Sequence, residues 1–367
     1  MTETSTAMAP NDLAERGHLL VTGGAGFIGG AVVTSALAEG WRVRVLDSLR
    51  RDVHGGLPES DSRVEFVVGD VTDPGTVAHA LDGIDAVCHQ AAKVGLGVDF
   101  SDAPDYVHSN EVGTAVLLAG MAAAGVSRLV LASSMVVYGE GSYRGAAGFA
   151  RPGPRLAADL DAGRFDPIDP GTGRPLEPAL VGEDDPLDPR NVYASSKLGQ
   201  EYLATAWSRS TGGTAAALRY HNVYGPGMPQ NTPYAGVASL FRSALARGEA
   251  PRVFEDGRQR RDFVHVRDIA SANLAAIDWT GSTGAGTFRP FNVGSGTVHT
   301  IGDMAEALSR AAGGPEPVVT GEYRLGDVRH ITASSQRLRT ELGWRPSMSF
   351  ENGMREFATA ALRAPVR

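Results

Sequence analysis

One cysteine in 367 residues, Cys88, excludes an intrachain disulfide, and a metal site would have to be built from histidine and carboxylate alone. A buried thiol is the expectation for it. Clusters of one charge sign are also missing. The 34 basic and 42 acidic residues leave a formal charge of -8 without a long run of either, so the basic patch of a nucleic-acid binder is absent. No apolar run reaches the roughly 20 residues that span a bilayer, and Met1–Arg16 lacks the basic start and apolar stretch of a signal peptide. These absences predict a soluble, cytoplasmic protein with a disordered tail over 1–17, no membrane or nucleic-acid partner, and no metal.

What the chain does have is glycine punctuation between short apolar runs. His18–Thr22 reads as a strand that ends in Gly23-Gly24-Ala25-Gly26-Phe27-Ile28-Gly29 and continues as a helical pattern to Glu39. Glycines there permit a tight turn and close approach to a pyrophosphate, and the helix start offers free N–H groups to its charge. A lone glycine fingerprint is weak, but the context strengthens it: Arg42–Asp47 reads as the next strand, with Asp47 about twenty residues past the turn, where a carboxylate accepts from an adenosine ribose. Asp47 would repel a 2′-phosphate, which favours NAD over NADP, while Arg50 and Arg51 nearby leave NADP open. The alternation continues through a strand Val64–Gly69, a helix Pro74–Leu81, a strand from Ala86 to His89, a helix from about Asp105 to Ala124 and a strand Arg128–Ser134. Such regularity predicts an α/β fold, a Rossmann-type doubly wound parallel sheet with ligands at the carboxyl ends of its strands.

Downstream, Tyr193 and Lys197 lie four apart on a predicted helix reaching toward Ser210, so both point to one face. A cation beside a phenol favours the phenolate and lowers a pKa that is otherwise about 10. The same spacing occurs by chance on many exposed helices, so the pair depends on a cofactor site and a third group upstream.

Thr22–Gly29, Asp47, Asp70-Val71, Gln90-Ala91-Ala92, Ser133–Gly139 and Tyr193–Lys197 follow one another as they do in the extended short-chain dehydrogenase/reductase family. The chain resembles that family from His18 to about Phe357, and more closely its NAD-dependent sugar-nucleotide epimerase/dehydratase branch. The resemblance implies a Rossmann domain over 18–225, with returns from about 262–294, and a smaller C-terminal α/β substrate lobe over 226–367. It implies catalysis by Ser134, Tyr193 and Lys197. It places NAD against Gly23, Gly26, Phe27, Ile28, Gly29, Asp47, Asp70, Val71, Ala91, Ala92, Asn110, Tyr193, Lys197 and Tyr220, although Asn110 reads equally well as a helix-face amide. A nucleoside-diphosphate sugar would meet Ser134, Asn222, Arg261, Arg324 and Asp327, an arginine fork being suited to phosphate oxygens. His221 reads as a structural histidine, and Asp262, His265 and Asp268 as a buried network bracing their strand. A homodimer through the helices 105–124 and 192–210 is also implied.

Two departures from the branch carry information. Dehydrating members follow the catalytic Ser/Thr with an acid and a base, because elimination moves protons at two further carbons. Met135-Val136 stands there instead, so C4 epimerisation through a transient 4-keto sugar is the expectation. A keto-sugar reductase using exchangeable NAD(P)H, and a non-catalytic dinucleotide-sensing protein on the same fold, are the alternatives. The surrounding sequence resembles a bacterial subgroup acting on deoxyhexoses of the dTDP-rhamnose type; UDP-hexose and UDP-uronate stay open. The second departure is 140–190, rich in Gly and Pro and without periodicity, far longer than the roughly 12–15 residues of ordinary loops. A surface insertion and a cover over the sugar pocket are equally compatible with it.

Overall fold

The computed structural model describes residues 16–51, 53–54, 61–95, 99–230 and 236–363. Of the tail expected over 1–17, only Arg16 and Gly17 fall within them. Strands β1 (His18–Thr22), β2 (Arg42–Asp47), β3 (Val64–Val68), β4 (Ala86–His89) and β5 (Arg128–Ser134) come first. After them β6 (Ser142–Gly145), β7 (Gly148–Ala150) and β8 (Glu177–Ala179) lie in the glycine- and proline-rich stretch. Beyond it run β9 (Thr214–Tyr220), β10 (Asn222–Tyr224), β11 (Arg252–Val253), β12 (Arg260–His265), β13 (Phe288–Val293), β14 (Val298–Thr300) and β15 (Val318–Val319).

Seven strands form one parallel sheet in the order β13-β9-β5-β4-β1-β2-β3. Every residue of β1 and β9 is buried, which is what a strand covered on both faces requires and why these segments read as nearly continuous apolar runs. The helices Phe27–Ala38 and Val266–Ser282 cover one face through Val32, Ala36, Ile269 and Ile277. Pro74–Ala80, Gly113–Ala124 and Val192–Thr211 cover the other through Val77, Leu117, Met121 and Trp207. Successive strands step outward from β1 to β3, and β4 then restarts on the other side of β1. That reversal opens a crevice at the carboxyl ends of β1 and β4, where the glycine turn and Gln90–Ala92 lie.

A second core, with Tyr224, Phe241, Met304, Leu308 and Phe357 at its centre, joins the sheet β10-β12-β14 to the helices Val237–Ala246, Ile301–Ala312 and Phe350–Thr359. The last two of these helices start at side-chain caps, Thr300 in a capping box with Asp303 and Ser349 on the Asn352 N–H. Two sequence expectations change. The helix expected over 105–124 is interrupted by a π turn at Val107–Val112, where the Thr114 hydroxyl donates to the Asn110 carbonyl at 2.6 Å. The 140–190 stretch, expected to lack regular structure, forms an antiparallel sheet β7-β6-β8 and a short helix Ala157–Asp161. Its strands have three or four residues, too few to leave a period in the sequence. No helix among the described residues is long and apolar enough to cross a membrane, and none of their His, Cys, Asp and Glu side chains group into a metal site.

Candidate active site

At the glycine turn the backbone folds on itself. A Cβ on Gly29 would sit 2.1 Å from the Gly23 carbonyl oxygen, and one on Gly23, whose φ is +68°, would sit 2.7 Å from the Ala91 nitrogen. Only glycine fits both places. The helix that follows has Gly26 as its N-cap with no side chain capping it, so its first N–H groups face the crevice. Asp47 at the end of β2 is buried, with Oδ2 accepting from the Ala25 N–H at 3.0 Å and Oδ1 from the Leu49 N–H at 2.9 Å. These bonds aim the carboxylate across the turn, with His54 Nε2 3.7 Å from Oδ1. Phe27 and Ile28 open the helix, the exposed Asp70 closes an Asx turn on Thr72, and Val71 packs beneath it. Ala91 and Ala92 are half-buried, the Ala91 N–H donating to Thr22 Oγ1 at 3.2 Å. This cradle fits a dinucleotide. Arg50 forks onto Asp105 at 2.9 and 3.0 Å, so its charge is already engaged and the case for a 2′-phosphate weakens.

The side chains expected to be catalytic come from the end of β5 and from the helix Val192–Thr211. That helix begins at Asn191, whose Oδ1 accepts from the Ala194 N–H at 2.8 Å, which places Tyr193 in the first turn. Ser134 closes β5 and caps the turn Met135–Tyr138 through the Val136 N–H at 3.4 Å. Burial pushes the Tyr193 phenol up to about 12, with the Ser134 hydroxyl opposing that rise. Lys197 is buried on the same helix. Its Nζ donates to the Ala132 carbonyl at 2.9 Å rather than to the phenol, and burial draws the ammonium down to about 7 against the pull of Glu201.

Behind the pair lies a brace that spacing did not suggest. Arg219 binds Glu201 in a fork at 2.9 and 2.7 Å, Glu201 also accepts from the Ser133 hydroxyl, and Arg219 donates to the Tyr138 phenol at 2.7 Å. Both charged partners are buried, so the Ser133-Ser134 strand end is fixed to the catalytic helix. Asn110, with no exposure, gives its amide to the Lys93 carbonyl and Ser196 and accepts from the Lys93 N–H at 2.7 Å, so it shapes the loop after Ala92. Tyr220 is likewise buried, its phenol engaged by Gln90 and Asn273.

From Tyr193 a cleft of about 580 Å³ runs into the smaller lobe. Met135, Val136, Gly139 and Ile331 line it, as do Arg261, Arg324 and Asp327. Asn222 lines it as well, and its buried Oδ1 has no partner among the described residues. Arg261 is set by the carbonyls of Val328 and Arg329 at 2.7 and 2.9 Å, and Arg324 lies over the Phe254 ring at 5.5 Å. Arg190, Asn191, Phe254 and Glu255 also line the cleft and were not singled out by sequence; Arg190 and Asn191 directly precede Tyr193, the one signal that pointed to them. His221 is buried with both ring nitrogens unpartnered among the described residues, and burial holds it near 3, so it stays neutral. Asp262 and Asp268 accept from Ser295 and Gly296, and from Ser347 and Met348, as the bracing reading expected.

Residues 19–154 and 170–294 match the NAD dependent epimerase/dehydratase family. The chain belongs to that family. Within it, a dTDP-L-rhamnose 4-epimerase of Burkholderia thailandensis is 34% identical over 95% of both chains. A UDP-glucose 4-epimerase of Corynebacterium glutamicum is 29% identical over 89% of this chain and 90% of its own. Among solved structures, the Thermus thermophilus UDP-glucose 4-epimerase in complex with NAD superimposes with a TM-score of 0.74 at 30% identity, over 93% of this chain and 97% of that one. A family of NAD-dependent enzymes accounts for the glycine cradle and for Asp47. The bare Met135-Val136 after Ser134 sets this member apart from chemistry that needs a carboxylate there.

Proposed function

We propose that the protein inverts C4 of a nucleoside-diphosphate sugar, with NAD retained through the cycle. The observation that carries this is the cleft, which has Tyr193 in its wall, offers no carboxylate at 135 and 136, and is also lined by Arg261, Arg324 and Asp327. Ser134 donates to the sugar's 4-oxygen and Tyr193 removes its proton, leaving a 4-keto sugar that turns over within the cleft before Tyr193 returns the proton. Bound NAD supplies the acceptor and then the donor of the C4 hydride. Residues 23–29, Asp47, Asp70, Val71, Ala91 and Ala92 would hold it, with Tyr193 and Lys197 toward its nicotinamide ribose. Residues 18–225 with the return over 262–294 form the cofactor domain in this reading, and 226–367 mainly the substrate lobe. The apolar Met135, Val136 and Ile331 in the wall that Tyr193 shares suit the methyl group of a 6-deoxyhexose, so a dTDP-deoxyhexose is the first substrate to try.

Incubation with dTDP-, UDP- and GDP-sugars, without added cofactor, should yield C4 epimers of at least one. Tyr193→Phe should lose about 10²–10⁴-fold in kcat while retaining NAD, the range of a missing general acid–base. Turnover of no sugar, or full turnover by the variant, overturns the mechanism; consumption of added NADH identifies a keto-sugar reductase instead. The helices Gly113–Ala124 and Val192–Thr211 pack together, and Val112 and Tyr202 on this unit are 40% and 61% exposed, which supports a homodimer through it. Sedimentation as a monomer would exclude that.

A further inference from the structure

The 140–190 insertion grips one short strip of the substrate lobe. Arg155, only 6% exposed, places Nη1 2.7 Å from Glu255 Oε1 and donates through Nε and Nη2 to the Asp327 carbonyl at 3.1 and 2.5 Å. Glu255 Oε2 accepts from Arg329 Nη1 at 2.8 Å. Arg329 is wholly buried and also binds Asp166 at 2.7 Å and Asp256 at 2.7 and 2.9 Å. From the start of the insertion, Glu140 accepts from the Arg329 N–H at 2.6 Å, and Asp161 accepts from the Tyr323 phenol at 2.6 Å. Glu140, Arg155, Asp161 and Asp166 thus hold residues 323–329 from outside, and the same strip turns Arg324, Asp327 and Val328 to the cleft.

Burying charge in this way seldom stabilises a fold more than an apolar contact would. What it does provide is direction, because a guanidinium fork fixes its partners in angle as well as distance. Arg155 does not line the cleft, yet both of its partners, Glu255 and Asp327, do. The geometry points to the insertion as a positioning element for the nucleoside-diphosphate half of the site, with Arg155 its central residue. This rests on the reading above, in which Arg261, Arg324 and Asp327 hold the nucleotide, and it adds what sets their places.

Calorimetric titration of UDP and of dTDP into the wild type, Arg155→Met, Arg155→Lys and Asp166→Asn tests it, with KM, kcat, bound NAD and thermal melting measured on the same samples. Arg155→Met should weaken nucleotide binding and raise KM about tenfold, the scale of one lost charge-assisted hydrogen bond, with a much smaller change in kcat and undiminished NAD. Arg155→Lys should recover part of the affinity, and Asp166→Asn should weaken it less. Wild-type affinity in a folded Arg155→Met overturns the inference. So does weakened binding that falls in step with NAD content and melting, which marks a purely structural role. If Arg155→Met does not fold, Asp166→Asn decides: unchanged affinity there rejects the inference. A wild type that binds neither of these, nor GDP titrated alongside them, rejects the functional reading beneath it as well.

Discussion

At the glycine turn a single methyl group on Gly29 would lie 2.1 Å from a carbonyl oxygen, whereas across the cleft Arg329 carries a whole guanidinium with no exposure among three carboxylates. The cofactor wall is specified by the absence of side chains, so its shape follows from backbone sterics within a stretch of seven residues, 23–29. The substrate wall is specified by charges that come from 140–190, 255–256 and 323–330, and its shape exists only once the chain has folded. Small errors should therefore act differently on the two walls.

The largest effect is expected at the substrate wall. Arg329→Met leaves Glu255, Asp256 and Asp166 without their shared cation, and removal of one partner from a buried ionic cluster costs about 3–5 kcal/mol. Urea unfolding should show that loss, and adding Asp256→Asn should recover part of it. A loss under about 1 kcal/mol, the value of an exposed pair, would mean that the cluster does not hold the wall. Gly29→Ala should cost less, about 1–3 kcal/mol as overpacking does, yet it should remove the copurifying NAD, because the turn can relieve the contact only by opening. Retention of NAD by that variant would show that the cradle has room for a methyl group.

The same contrast explains what could be read from the chain in advance. Strands β1, β2 and β5 have the ends expected of them, since apolar runs bounded by glycine or polar residues encode their own limits. Gly29 and Asp47 were legible for a similar reason: their spacing is fixed by one strand, one turn and one helix. Helical spacing gives Lys197 a direction but not the acceptor it meets, the Ala132 carbonyl of another strand. The bond between Asn110 and Ser196, 86 residues apart, was equally beyond the reach of spacing. Nothing in 140–190 announced a clamp, since Arg155 and Asp166 acquire their meaning from residues about 100 and 163 positions further on.

Acid should separate the two walls most gently, through His330 and Asp166. His330 Nδ1 accepts from the Arg260 N–H at 3.0 Å while Nε2 faces Asp166 at 3.2 Å, an arrangement that assigns the proton to Nε2 and keeps the ring neutral. Burial holds His330 below its ordinary value, so as the pH falls through about 6.5 the unfolded chain takes up a proton that the folded one refuses, and stability declines. The hydrogen bond from His330, with Arg329, holds Asp166 well below the usual carboxylate range; its contribution is present above about pH 4 and is lost as the pH falls further. Both signs agree, and charging Nδ1 would also set a proton against the Arg260 N–H. Asp166 is 43% exposed, so solvent screens its share and the shift should be modest. Hydrogen-exchange protection factors at pH 7, 5.5 and 4 should therefore fall for the amides of Arg329 and Ile331, held by Glu140 and the Arg260 carbonyl, before those of Leu19 to Thr22 in β1. In His330→Gln the step near pH 6 should disappear and the later one remain; parallel loss of protection at both walls would show that acid acts on the fold as a whole and not on the clamp.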